Sequence, residues 1–143
     1  QRRSIDATGL EPLPEESMPG RYLIATEISF SASHSLRAYR GDCARVHGHN
    51  WIARVCYEFD RLDGDGLTVD YRELRAALER AILPRFDHRH LNEIAPFDRV
   101  NPTSENIAAE IFRLCRAEIS LGGALREVEL WESPTDMVRY RED

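Results

Sequence analysis

Apolar residues alternate with polar ones over two long stretches in the first half of the chain. The first stretch starts near Arg21 and continues to His34, with these residues at alternate positions: Tyr22, Ile24, Ile28, Phe30 and Ala32. The second starts just after His49 and contains Trp51, Ala53, Val55, Tyr57 and Phe59. A period of two is typical of a strand that buries one face. We therefore predict two strands that pair antiparallel.

Two later stretches have the spacing of helices. Asp70, followed by Glu73, predicts a helix start, and the apolar positions Leu74, Leu78 and Ile82 continue until Pro84. The second helix is predicted to open at residues 102–104 and to end at Gly122-Gly123. Its apolar side chains share one side: Ile107, Ile111, Leu114 and Cys115.

The last part of the chain predicts two more short strands, Leu125 to Trp131 and Met137 to Tyr140. The order ββααββ predicts an α+β fold, a four-stranded antiparallel sheet with two helices on one face. The length of 143 residues suits a single domain, predicted over residues 21–143. Residues 1–20 include three prolines and no sustained period, so we expect an irregular lead-in.

Composition narrows the classes of partner and compartment. The net charge is -6 and the basic residues are dispersed, which argues against a nucleic-acid partner. No apolar run approaches the roughly 20 residues of a membrane span, and the chain does not begin with a secretory signal, so we expect a cytoplasmic protein. The odd number of cysteines does not indicate an extracellular disulfide framework: Cys43, Cys56 and Cys115.

Three of the five histidines bracket the connection between the first two strands. His34 ends the first strand, and His47 and His49 begin the second. Residues two apart on a strand share a face, and an antiparallel partner can bring the third histidine beside them. Three neutral histidines with an open fourth position are typical of a catalytic zinc site. The alternative, which we would favour for any one of them alone, is that they are separate polar residues near a sheet edge.

Cys43 lies four residues before His47 in a polar loop that contains Arg40 and Arg45. A thiol in such surroundings suits a catalytic base or nucleophile. A role as a fourth zinc ligand is the rival interpretation. Cys56 and Cys115 fit structural positions on a strand and on a helical stripe.

Two carboxylates, Asp87 and Glu132, occupy positions that suit a functional role. Asp87 precedes His88 and could orient its ring for proton transfer, although such a pair is more often an exposed pair or a cap, and His90 is a rival base. Glu132 follows Trp131 where a strand meets a turn, and its simpler interpretation is a surface glutamate.

Taken in order, these residues resemble the family of 6-pyruvoyltetrahydropterin and 6-carboxytetrahydropterin synthases over nearly the whole chain, from about Tyr22 to Arg141. The resemblance rests on six ordered segments: Phe30-Ser31-Ala32-Ser33-His34, Cys43-Ala44-Arg45-Val46-His47-Gly48-His49, Val69-Asp70-Tyr71, Asp87-His88-Arg89-His90-Leu91-Asn92, Asn101-Pro102-Thr103-Ser104-Glu105-Asn106 and Trp131-Glu132.

The resemblance implies a role for each matched position. It implies zinc (Zn2+) on His34, His47 and His49, and catalysis by Cys43 together with Asp87 and His88. It implies that Glu132 holds the pterin and that the start of the second helix adds polar contacts to the ring, through Thr103, Ser104 and Glu105. It also implies the tunnelling fold (T-fold), in which sheets of several subunits join into a barrel. A homohexamer with sites between subunits is therefore expected.

The spacing of Cys43 before His47 resembles the bacterial carboxy enzymes of the queuosine branch. The resemblance then implies zinc-dependent conversion of 7,8-dihydroneopterin triphosphate to 6-carboxy-5,6,7,8-tetrahydropterin, with release of triphosphate and acetaldehyde. Residues 133–140 resemble the pyruvoyl type more closely, so 6-pyruvoyltetrahydropterin synthase is the alternative. A zinc-stabilised T-fold binding module without turnover is the alternative from a different class.

Overall fold

A computed structural model describes residues 9–10 and 20–143, so most of the predicted lead-in at 1–20 lies outside the described residues. The strands are β1 Tyr22–His34, β2 His47–Phe59, β3 Arg89–His90, β4 Ala124–Trp131 and β5 Met137–Arg141. The helices are α1 Tyr71–Phe86 and α2 Ser104–Glu118. Short 3-10 turns cover Asp42–Ala44 and Leu91–Glu93. Over the ranges just given, no helix combines the length and apolar character that a membrane crossing requires.

All strands join one sheet in the order β3-β1-β2-β4-β5. The four long strands pair antiparallel, and β1 pairs with β2 as predicted. The predicted count of four strands, all antiparallel, is wrong, because the two-residue β3 pairs parallel with Ala32 and Ser33 of β1. A strand of two residues has no alternation that a sequence pattern could reveal. The α+β class itself is confirmed.

The core lies between the sheet and the two helices, which pack on the same face. Alternate side chains of β1 and β2 point into it, and they are the apolar positions of the sequence pattern: Ile28, Phe30, Ala32, Trp51, Ala53, Val55, Tyr57 and Phe59. Val128 and Leu130 of β4 complete the sheet side of this core. The prediction of two helices on one face is thus confirmed.

Helix α1 begins where the sequence predicted, after Asp70, whose carboxylate accepts a 2.8 Å hydrogen bond from the Arg72 N–H. It ends two residues later than predicted, because Pro84 lies inside it and the helix continues to Phe86. The Phe86 ring is buried, 5.6 Å from Phe30 between ring centroids. Burial of a phenylalanine contributes roughly 2–3 kcal/mol, which offsets the backbone bond that proline cannot donate.

Helix α2 begins after Thr103, whose hydroxyl accepts a 3.1 Å hydrogen bond from the Asn106 N–H. It ends at Glu118, before the predicted Gly122-Gly123. The glycine pair forms the turn into β4 instead. Gly122 has φ of +84°, and a Cβ at Gly123 would lie 2.6 Å from the Phe59 ring. That turn therefore requires both glycines.

The sheet face opposite the helices carries a row of alternating charges. Register aligns Glu27, Arg54, Glu129 and Arg139 across four neighbouring strands. The carboxylate of Glu129, only 3% exposed, accepts bonds from Trp131 Nε1 at 2.6 Å and Arg139 Nε at 3.0 Å. Burial alone would raise the pKa of Glu129, but these bonds and the two arginines lower it overall.

Candidate metal centre

The pairing of β1 with β2 brings three histidines together at one end of the sheet. His34 lies directly opposite His47 on the neighbouring strand. His49 lies opposite Ala32, which is two residues before His34 on β1. The ring centroids are separated by 4.6 Å for His34 and His47, 5.2 Å for His34 and His49, and 4.9 Å for His47 and His49. The structure thus brings together the three residues that the sequence predicted as zinc ligands.

Two backbone carbonyls orient these rings. His34 Nδ1 lies 2.7 Å from the Pro102 carbonyl oxygen, and His47 Nδ1 lies 2.7 Å from that of Arg45. A carbonyl only accepts hydrogen bonds, so each Nδ1 carries the proton and donates it. The lone pair of each neutral ring is then on Nε2, the atom left for a metal.

Glu132 completes the cluster from the turn between β4 and β5. Its Oε1 lies 3.0 Å from His49 Nε2 and 3.5 Å from His34 Nε2. Each of the four side chains offers one ligand atom, and these atoms lie within 4.8 Å of one another. Across residues 9–10 and 20–143, this is the one group of three or more such side chains that could hold a metal ion.

The donor set suits a divalent metal. His34 Nε2 and His49 Nε2 are both buried without a hydrogen-bond partner of acceptable geometry, even though Glu132 is near. Burial lowers the pKa of His34, which is 2% exposed, and the neighbouring histidines lower it further against the effects of Pro102 and Glu132. Burial also lowers the pKa of His49. Neutral imidazoles with free nitrogens are the form that binds zinc.

Cys43 lies in the 3-10 turn of the loop that joins β1 to β2, and it is exposed. Its carbonyl accepts a 2.9 Å hydrogen bond from the Leu36 N–H across the loop. Its sulfur does not belong to the four-residue cluster, where Glu132 is the fourth group. Cys56 is half-buried and Cys115 is buried, in agreement with their structural interpretation.

Two asparagine side chains hold the loop that carries Cys43. Asn92 accepts from the Ser35 N–H at 2.9 Å and donates to the Ser35 carbonyl at 2.9 Å. Asn101 accepts from the Arg37 N–H at 2.8 Å and donates to the Arg37 carbonyl at 3.1 Å. Each amide thus bonds both backbone groups of one loop residue, as a neighbouring strand would.

The carboxylate of Asp87 contacts the ring of His88, as the sequence predicted. Asp87 Oδ2 lies 3.0 Å from His88 Nδ1, and Asp87 Oδ1 accepts a 3.0 Å bond from the Ser31 N–H. The bond from Ser31, followed by the contact with His88, lowers the pKa of Asp87. His88 has φ of 58°, which is uncommon for a residue with a side chain, and its side chain is 82% exposed. The ring is therefore oriented at Nδ1 and accessible.

His90, the rival base, has its Nδ1 2.9 Å from the Ser33 hydroxyl. His88, His90 and His49 contribute to the walls of an open recess of about 450 Å³, together with Ser31 and Asn50. Within residues 20–143, no hydrogen bond or ion pair links Cys43 or His88 to the histidine cluster.

The residues expected to contact a pterin ring open helix α2. Thr103 caps the helix, and Ser104 and Glu105 form its first turn. They follow Pro102, whose carbonyl orients His34, so the contact between Pro102 and His34 places the helix start near the cluster in space. The resemblance assigned Glu132 to the pterin, whereas its carboxylate here faces the imidazole nitrogens.

Sequence reasoning did not identify the Pro102 carbonyl or the amides of Asn92 and Asn101. A backbone carbonyl has no side-chain signature. Asn92 and Asn101 lie in two of the segments that resemble the pterin synthase family. That position was the one indication in the sequence that they have a role.

An α+β fold whose sheet ends in three converging imidazoles and a carboxylate presents a group that could hold a metal ion. The model of the 6-pyruvoyl tetrahydropterin synthase family matches residues 23–143, and the chain belongs to this family. It is therefore an enzyme, a pterin synthase similar to 6-carboxytetrahydropterin synthases.

Individual relatives agree with this assignment. The chain is 36% identical over 125 residues to 6-carboxy-5,6,7,8-tetrahydropterin synthase of Synechocystis sp., covering 83% of this chain and 92% of the relative. It is 28% identical over 136 residues to the enzyme of the same name from Bacillus subtilis, covering 90% of each chain. The structure of 6-pyruvoyl tetrahydropterin synthase from Caenorhabditis elegans superposes with a TM-score of 0.78 at 25% identity, covering 87% of this chain and 97% of that one.

Proposed function

We propose that this protein is a zinc enzyme that converts 7,8-dihydroneopterin triphosphate and one water molecule to 6-carboxy-5,6,7,8-tetrahydropterin, triphosphate and acetaldehyde. The observation that carries the proposal is the convergence of His34, His47 and His49 with two buried, unpartnered imidazole nitrogens. The carboxy branch is supported by the relative from Synechocystis sp. and by the spacing of Cys43 before His47.

The three histidines would hold the ion through their Nε2 atoms. Bound zinc supplies Lewis-acid chemistry, lowering the pKa of hydroxyl groups on the pterin side chain. The Pro102 and Arg45 carbonyls keep two of the rings in the required tautomer. A structural zinc site would use four permanent protein ligands, whereas three histidines leave a position for substrate oxygen.

Proton transfer is the proposed work of Cys43 and His88. His88 is oriented by Asp87 at Nδ1, which leaves its Nε2 to take or give a proton at a side-chain carbon. Cys43, in the loop held by Asn92 and Asn101, would exchange protons as the second group. Movement of these protons allows triphosphate to leave, and the ring gains hydrogen from its own side chain, so no redox cofactor is required.

Recognition of the pterin is assigned to Glu132 with Thr103, Ser104 and Glu105. The edge of a pterin presents an amino group and a ring N–H side by side, which a carboxylate can accept in bidentate fashion. The hydroxyl of Thr103 already accepts the helix-capping bond from Asn106, so its contribution would be as a donor.

A homohexamer with sites between subunits is part of the proposal, as is a cytoplasmic location. The oligomer is supported by the open edge of β1, where residues 23–30 have no strand partner beyond β2 among the described residues. Leu23 and Ile52 are exposed on the sheet face that the helices leave uncovered. Open edges and apolar surface favour association with another sheet. A neighbouring subunit could then bring His88 and Cys43 into one site.

The test is incubation of the purified zinc protein with dihydroneopterin triphosphate, followed by mass identification of the pterin. The carboxy product with acetaldehyde is expected. A pyruvoyl product would favour the sibling activity, which the C. elegans structure represents. Absence of triphosphate release with zinc bound would favour a non-catalytic binding module.

A further inference from the structure

We propose that Glu132 is the fourth metal ligand of the substrate-free protein. This inference rests on the proposed zinc site and adds to the role of Glu132 in recognising the pterin. Three observations carry it: the spacing of the donor atoms, the absence of hydrogen bonds between them, and the hydrogen bonds that hold the turn carrying Glu132.

The spacing matches that of ligands around one ion. With bonds of roughly 2.0–2.1 Å in a tetrahedral site, two ligand atoms lie about 3.4 Å apart. Glu132 Oε1 lies 3.5 Å from His34 Nε2 and 3.0 Å from His49 Nε2. Glu132 lies in the turn between β4 and β5, whereas the histidines lie on β1 and β2. Its carboxylate therefore reaches the coordination position that the three histidines leave open.

The contacts are not a hydrogen-bond network. Both Nε2 atoms are buried, and neither has a hydrogen-bond partner of acceptable geometry, although a carboxylate oxygen is within reach. His34 Nδ1 already donates to the Pro102 carbonyl, so its Nε2 presents a lone pair toward the carboxylate. A lone pair and a carboxylate oxygen repel each other unless a cation lies between them. A shared metal ion satisfies all of these atoms at once.

The backbone holds Glu132 in place. Its N–H donates to the Asp136 carbonyl at 3.1 Å and closes the turn between β4 and β5. The Ser133 hydroxyl accepts from the Asp136 N–H at 3.1 Å inside the same turn. Trp131, the preceding residue, pairs with Ile52 of β2, the strand that carries His47 and His49. These bonds hold the backbone of Glu132 at the end of the sheet where the three histidines converge.

The test measures the zinc dissociation constant by chelator competition, with zinc alone and no pterin present. Glu132→Gln should weaken zinc binding on the order of 10- to 100-fold, since a protein ligand is replaced by water. Glu105→Gln removes the same charge at the start of α2 and should leave the constant within about twofold. Equal affinity for wild type and Glu132→Gln would overturn the proposal.

Cobalt substitution gives a second measurement. The visible spectrum of the Co2+ protein without pterin should differ between wild type and Glu132→Gln, because the ligand set differs. Identical spectra would also overturn the proposal. If Glu132→Gln does not fold, Glu132→Asp shortens the reach by one methylene and should give intermediate affinity and a shifted spectrum. These measurements contain no substrate, so their outcome is independent of the product assay. The ligand role of Glu132 can be refuted while the enzyme still forms product, and it can be supported while no product forms.

Discussion

Nδ1 of His34 lies 2.7 Å from the carbonyl oxygen of Pro102, the residue just before the cap of helix α2. This bond joins the end of β1 to a segment 68 residues later in the chain. It turns the remaining nitrogen of His34 toward His47, His49 and Glu132. The position of a helix start thus sets the orientation of a metal ligand, and the predictions below begin from this arrangement.

Replacement of His34 should empty the metal site. His34→Ala removes one of three imidazoles, and we expect purified protein with less than about a tenth of the wild-type zinc, measured by elemental analysis. His90→Ala is the matched control, because His90 contacts Ser33 and stands outside the cluster. A full complement of zinc in His34→Ala would show that the histidines are not the ligands.

Cys43 should be the reactive thiol of the chain. It is exposed, whereas burial raises the pKa of Cys115 to about 12. Iodoacetamide at pH 8 should label Cys43 at least about tenfold faster than Cys115, as followed by peptide mass. Cys43→Ala should lose turnover and keep its zinc. Loss of zinc in that variant would instead make the thiol a ligand.

Asp87 should contribute stability that depends on pH. Hydrogen bonds from the Ser31 N–H and His88 lower its pKa below the unfolded value, so its contribution is present above the unfolded pKa and disappears as pH falls through the folded pKa. Asp87→Asn should therefore be less stable than wild type at pH 7, with the difference vanishing at strongly acidic pH. Urea unfolding at several pH values measures this. Asp65→Asn, in an exposed turn, is the control, and a constant difference at every pH would contradict the prediction.

Loss of the Asn101 amide should loosen the loop of Cys43. Asn101→Ala removes both bonds to Arg37 and should cost about 1–2 kcal/mol of unfolding free energy. Turnover should fall while zinc content stays unchanged, because the histidine cluster does not include this residue. Asn50→Ala, which removes a single bond with Ser31, is the comparison for stability. Unchanged stability and turnover would refute a positioning role for Asn101.

The buried carboxylate of Glu129 should contribute far more to the free energy of unfolding than that of Glu127, two residues earlier on β4. Glu129→Ala removes the acceptor of Trp131 and Arg139 and should cost about 2–4 kcal/mol. Glu127→Ala breaks a more exposed pair with Arg141 and should cost under about 1 kcal/mol. Thermal or denaturant unfolding compares them, and equal losses would contradict the argument from burial.

Much of the fold followed from local pattern. Alternation over residues 22–34 and 51–59, the cap at Asp70 and the helix opening at residues 102–104 located two long strands and the helix starts, because burial of one face and capping are properties of nearby residues. The end of α1 was misjudged, since the packing of Phe86 against Phe30 outweighs the local effect of Pro84. β3 was missed because two residues have no period.

The sequence by itself determined which side chains can bind a metal and that two of them share one strand face, since residue type and a spacing of two are local facts. It also indicated the family, through six motifs that follow one another in order along this chain. Only the tertiary structure decided that His34 faces the Pro102 carbonyl and that the carboxylate of Glu132 reaches the imidazoles. These contacts depend on strand register and on turns far apart in sequence, where a shift of one residue would point each side chain to the other face of the sheet.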